Sequence, residues 1–158
     1  MKSWLEALRH GAISGSIVSI ATTVLLNLRG ERENGTPYAP VNAISHWIWG
    51  DRAADRNGPS ARHTLAGYAI HHASSTLWAT VYERWFGDAA ERRSLATSMA
   101  GAAAIAALSC LVDYKVVPRR LRPGYEMRLS TRSLAMVYSL VGVTLPVRGL
   151  IFGARRTR

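Results

Sequence analysis

His71 and His72 are adjacent near the middle of a stretch, His63 to Tyr82, that contains no Asp, Glu, Lys or Arg. An imidazole in such surroundings can relay protons or ligate a metal or haem. On a helix, His72 shares a face with Thr76, Ala79 and Glu83, and His71 lies on the side of Gly67, Ser74, Ser75 and Trp78. Ionisable and polar residues at bilayer depth are costly, which makes them functional candidates. The same residues also suit a plainer task, in which neutral histidines bond to Ser or Thr on neighbouring helices and hold a bundle together. The structural task is the stronger expectation. A bis-histidine haem needs a second ligand at matching depth on another helix. His10, His46 and His63 all lie nearer segment ends, so neither haem nor a metal at His72 is expected.

Charged groups stand where apolar runs stop. Glu83 closes the His63–Tyr82 run on the same side as Arg148 and Arg9, so a Glu83–Arg148 pair that fixes two helices is expected. Handling of protons by Glu83 is the alternative. Asp113 ends a later run on the opposite side, near Arg62, Lys115 and Arg29, and again a structural ion pair is the first expectation. The segment from Lys115 to Arg128 is basic, carries Tyr125 and is stiffened by Pro118 and Pro123. Its Arg119, Arg120 and Arg122 suit an anionic headgroup or a partner's acidic surface, or act as ordinary interfacial anchors.

Recognised catalytic signatures are lacking: there is no phosphate-binding Gly-rich Lys motif, nucleophile elbow, His-Glu-x-x-His or zinc cysteine pair. The single cysteine, Cys110, completes no ligand set and no internal disulfide. The net charge of +10 comes from 20 basic and 10 acidic residues. Because the arginines flank apolar runs instead of forming a stripe with interleaved aromatics, they favour lipid headgroups over nucleic acid.

The elements that must position these groups are membrane-length helices. The 158 residues suffice for one domain. Crossing hydrocarbon takes about 20 mostly apolar residues, folded as helix because lipid offers no hydrogen bonds. Four segments qualify, at about 10–28, 63–85, 94–115 and 131–153. The fourth does so if Arg148 snorkels to the headgroups. The first is read as a retained helix, not a secretory signal, because its apolar part is long and no small-x-small site follows. Arg29-Gly30 is expected to end it, and Ser130 or Thr131 to cap the start of the fourth. Trp4 and Trp85 fit one interface, Tyr114 and Tyr125 the other.

Small residues recur every four positions at Gly11, Gly15 and Ser19, and again at Ser98, Ala102, Ala106 and Cys110. Such stripes let helices approach closely in lipid. Residues 40–49, with Trp47 and Trp49, read as a helix lying in the interface plane. Orientation is undecided, since nine of the 20 Lys and Arg fall on one side, Arg155, Arg156 and Arg158 among them, and eleven on the other.

Three stretches carry a resemblance: Asn42 to Gly50 (NAISHWIWG), His71 to Ala79 (HHASSTLWA) with Glu83, and Asp113-Tyr114 with Val117 to Glu126 (VPRRLRPGYE). In these the chain resembles an uncharacterised family of small bacterial inner-membrane proteins, distantly YagU-like. The resemblance implies that location and brings no established catalytic residues. It points to His46, His72, Ser75, Glu83 and Asp113. The expected fold is an all-α membrane bundle of four spans plus an interfacial helix. The expected role is non-enzymatic, an accessory or structural subunit that binds lipid, another membrane protein or a second copy of itself. A transporter or proton-handling protein using His71, His72, Ser75 and Glu83, and a membrane-embedded enzyme using the same histidines, are the alternatives.

Overall fold

The computed structural model describes residues 1–153; the expected end-charge contributions of Arg155, Arg156 and Arg158 lie outside the described residues. The chain is all-α, with no strand among those residues. Eight helices follow in order: α1 (Trp4–Asn34), α2 (Ala39–Ile44), α3 (His46–Trp49), α4 (Ala66–Trp85), α5 (Gly87–Glu91), α6 (Leu95–Leu111), α7 (Thr131–Thr144) and α8 (Val147–Phe152).

Three helical segments are long and apolar enough to cross a membrane: Trp4–Asn34, Leu95–Val116 and Thr131–Phe152. The remaining expected span, 63–85, corresponds to α4, whose 20 residues reach the required length. Its composition is more polar, with His71, His72, Ser74, Ser75, Thr76 and Thr80.

Small polar side chains share the interior with apolar ones: Ser14, Ser19, Thr22, Ser98 and Ser133 are fully buried, as are Leu26, Tyr82 and Leu145. Other large apolar ones face out, including Ile13, Ile20, Val24, Leu77, Leu108 and Val143. Between Ala66 and Trp85 the exposed residues are Ala69, Ala73, Leu77 and Trp85, all apolar.

The main helices form a ring in which α1 packs on α4 and α7, α7 packs on α6, and α6 meets α4 along a shorter stretch. The tightest seam is α1–α4. A Cβ on Gly15 would stand 2.5 Å from the Thr76 Cα, and one on Gly11 would overlap Thr80. The small-residue stripe read from the sequence is therefore the α1–α4 contact, with backbone against backbone. Ala102 and Ala106, both buried, serve α6 in the same way, and Ala106 lies opposite Gly142 of α7.

Local sequence explains the helix ends. Ser3 caps α1 by accepting from the Glu6 N–H at 3.2 Å. The expected stop at Arg29-Gly30 is corrected: an i,i+4 pair between Arg29 and Glu33 carries the helix on. It ends at Gly35, whose φ of 68° supplies the left-handed cap. Ser130 caps α7, with its hydroxyl accepting from the Ser133 N–H.

Residues 40–49 differ from expectation. They form two short helices, and Ala39 to His46 are all buried beneath α4 and the turn at Tyr125–Met127. Asn42 fastens them, donating to the carbonyls of Arg56 and Gly58 and accepting from the Thr64 hydroxyl. Tyr125 is buried, not an interfacial anchor. Trp4 and Trp85 do lie together, ring edge to face, 5.6 Å apart.

Candidate functional site

Three polar constellations lie inside the bundle. The first gathers at the end of α4. Glu83 is fully buried and receives a bidentate pair from Arg148 at 2.7 and 2.8 Å, the Lys2 ammonium at 2.6 Å and the Ser14 hydroxyl at 2.6 Å. Lys2 and Arg148 also reach Glu91. Two cations thus meet two carboxylates, and the four helices that bear or adjoin them are tied together. The sequence placed Glu83 with Arg148 correctly but set Arg148 at the headgroups. Arg148 is 5% exposed, held inward by two carboxylates after Pro146 breaks the helix between α7 and α8.

Glu91 lies outside the membrane-length segments. Burial pushes its carboxyl up, but hydrogen bonds from Lys2 and Arg148 outweigh that and hold it below its ordinary value. Ligand atoms of His10, Glu83 and Glu91 come within 4.8 Å of one another. That spacing would suit a metal, yet the Lys2 and Arg148 nitrogens already fill the positive role there.

The second constellation is the histidine pair. His72 Nδ1 lies 2.9 Å from the Ser19 hydroxyl, and His71 Nε2 lies 2.8 Å from the Thr22 hydroxyl. The Thr22 hydroxyl is also 2.7 Å from the Val18 carbonyl. The Val18 carbonyl and His71 Nε2 thus both lie within hydrogen-bond reach of the one Thr22 hydroxyl, and the tautomer of the ring sets the direction of that second bond. Ser19 likewise donates to the Ser16 carbonyl at 3.1 Å. Both histidines are therefore cross-links between α4 and α1, placed along the same seam as Gly11 and Gly15.

The third is a half-open crevice of about 200 Å³ between α4, α6 and α7, floored by the 117–125 segment. Its walls are mostly apolar, among them Val18, Ile70, Leu77, Val137, Val141 and Leu145. Ser75 and Ser74 enter from α4, and Trp47 and Trp78 add aromatic faces. Asp113 enters from just past α6, in a wide turn over Val112–Val116 where hydrogen bonds skip one residue further than in an α-helix. Turns of this kind concentrate at functional sites.

Asp113 contradicts the expected ion pair. Its partner is Tyr138, whose hydroxyl donates to it at 2.6 Å, and Tyr125 in turn donates to Tyr138 at 3.2 Å. Among the described residues no Lys, Arg or His pairs with it. Of the cations the sequence offered, Arg29 bonds to Ser133 and Glu33, and Arg62 stacks on the Trp49 ring at 3.9 Å. Lys115 is exposed.

The basic loop is partly a structural clasp. The Arg122 carbonyl accepts from the Trp47 indole at 2.7 Å and lies 2.9 Å from His46 Nε2. Arg120 donates to the Trp47 carbonyl at 3.0 Å. Arg119 is exposed, 3.8 Å from Asp51. Trp49 is on the surface. His46 and Trp47 thus hold the 117–125 segment in place as the crevice floor.

Of the sequence candidates, Glu83 and Arg148 meet, His71 and Ser75 border the crevice that holds Asp113, and His72 turns to α1. Sequence reasoning missed Lys2, Ser14, Glu91, Tyr125 and Tyr138. Tyr138 carried a signal, since it is among the few polar residues of an otherwise apolar span. No family model, no curated protein and no solved structure matches this chain.

Proposed function

We propose that this chain is a non-enzymatic, four-span protein of the bacterial inner membrane, distantly YagU-like, that binds a slim lipid-class ligand in the α4–α6–α7 crevice. The crevice carries the reading: it is apolar-walled, half-open and lined in part by membrane-length helices. Pockets that take small apolar ligands combine such walls with a few placed polar groups. The apolar outer face of α4 supports counting it as the fourth span, with its polar residues turned to α1 and the crevice. Transport through His71 and His72 has less support, because both rings are engaged by α1.

The full chain, purified in mild detergent and examined by native mass spectrometry, tests the reading. A bound lipid-class molecule is expected at one per chain. Ser74→Trp, which fills the crevice from a half-buried position, should remove it without lowering the unfolding temperature much. Retention of the ligand by a folded Ser74→Trp protein would overturn the assignment, as would a chain that stays folded and monodisperse in plain buffer.

A further inference from the structure

Building on the reading of the crevice as a binding site, we propose that its ligand is a hydrophobic ammonium, an apolar body that ends in a positive charge, with Asp113 as its counter-ion. The carboxylates of the bundle are unequally paired. Glu83 and Glu91 share Lys2 and Arg148. Glu33 has Arg29. Asp113, half-buried in the crevice wall, has only a tyrosine hydroxyl, on one of its two oxygens. A carboxylate taken out of water without a cation is costly, and a ligand that brings its own positive charge relieves that cost.

The surroundings favour the same ligand. Trp47, Trp78, Tyr125 and Tyr138 line the crevice with Asp113. Aromatic faces attract an ammonium through the ring quadrupole, most strongly where water is excluded. Tyr125 is buried and bonded to Tyr138, so these two rings are positioned before a ligand arrives. The aliphatic wall of Val18, Val137, Val141 and Leu145 suits an apolar body. An anionic ligand would meet the unpaired carboxylate, and a neutral one would leave it unrelieved.

The test uses the full chain in nanodiscs at about pH 8.5, well above the ordinary carboxylate range. Octyltrimethylammonium and 1-octanol, equal in chain length and different in charge, are titrated against the intrinsic tryptophan fluorescence, to which Trp47 and Trp78 contribute from the crevice wall, with empty nanodiscs as the reference. Wild type is expected to bind the ammonium at least about tenfold tighter than the alcohol. Asp113→Asn should bring the ammonium down to the level of the alcohol, and Asp113→Glu should keep the preference. Equal binding of the two probes to wild type, with both lost in Ser74→Trp, would overturn the charge assignment and leave the crevice reading standing. Binding of neither probe would overturn both. The wild-type comparison decides the matter even if an Asp113 variant does not fold.

Discussion

Arg148 and Glu83 meet through two parallel hydrogen bonds, Nε to Oε1 at 2.7 Å and Nη2 to Oε2 at 2.8 Å, across 65 residues of chain. This fork joins the last described helix to the end of α4, and Lys2 and Ser14 close it from the side of α1. With Glu83 at 1% exposure, little solvent screens the network.

Glu83→Gln should therefore be among the most damaging single substitutions in the chain. It leaves Lys2 and Arg148 with Glu91 alone, an excess of buried positive charge. Breaking one side of a buried pair costs about 3–5 kcal/mol. Thermal unfolding of the purified protein in detergent should show that loss, whereas an unfolding temperature equal to wild type would mean the network is not formed.

Acid should loosen the same corner. Glu91 titrates lower in the folded chain than its ordinary 4.5, so as pH falls the unfolded chain takes up the proton first. Its stabilising contribution is complete above that ordinary value and fades as pH drops through the lower, folded one. Wild type should lose stability in that window, and Glu91→Gln should lose less because part of the contribution is already gone. Unfolding curves recorded from neutral pH down to about pH 3 decide it; parallel curves for the two proteins would contradict the assignment.

Gly15→Leu should force α1 away from α4, since even a Cβ there would stand 2.5 Å from the Thr76 Cα. Overpacking of this kind costs about 1–3 kcal/mol. Both histidine cross-links lie on the same seam, so they should lengthen or break as well. Ile20→Leu, on the exposed side of α1, should leave the unfolding temperature unchanged. Equal effects from the two substitutions would refute the close seam.

How far the sequence could be read depended on the kind of interaction. The Gly11, Gly15 and Ser19 stripe was readable because small residues four apart have one efficient use among helices in lipid. Glu83 with Arg148 was readable because both stand where apolar runs stop on one side. Lys2 and Glu91 were not, since each sits among charged neighbours that look like solvated ends, and only the tertiary arrangement buries them. Asp113 was assigned the wrong partner because charge was expected to seek charge, while the nearest donor proved to be a neutral phenol from α7. The buried state of Ala39 to His46 depends on the 117–129 segment, far along the chain, and on α4, so no local pattern announces it.

The wide turn at Val112–Val116 is a matter of bookkeeping in residues. It holds one residue more than regular α-helical winding would use. Each residue of such winding rotates the chain by about 100°. Deletion of Val112, ahead of Asp113, would turn the carboxylate by about 100° relative to α6 while shortening the helix by only about 1.5 Å. Length and hydrophobicity would scarcely register the change, so chains of this kind that differ by one residue at this turn would look alike in a hydropathy plot and differ in what they can hold.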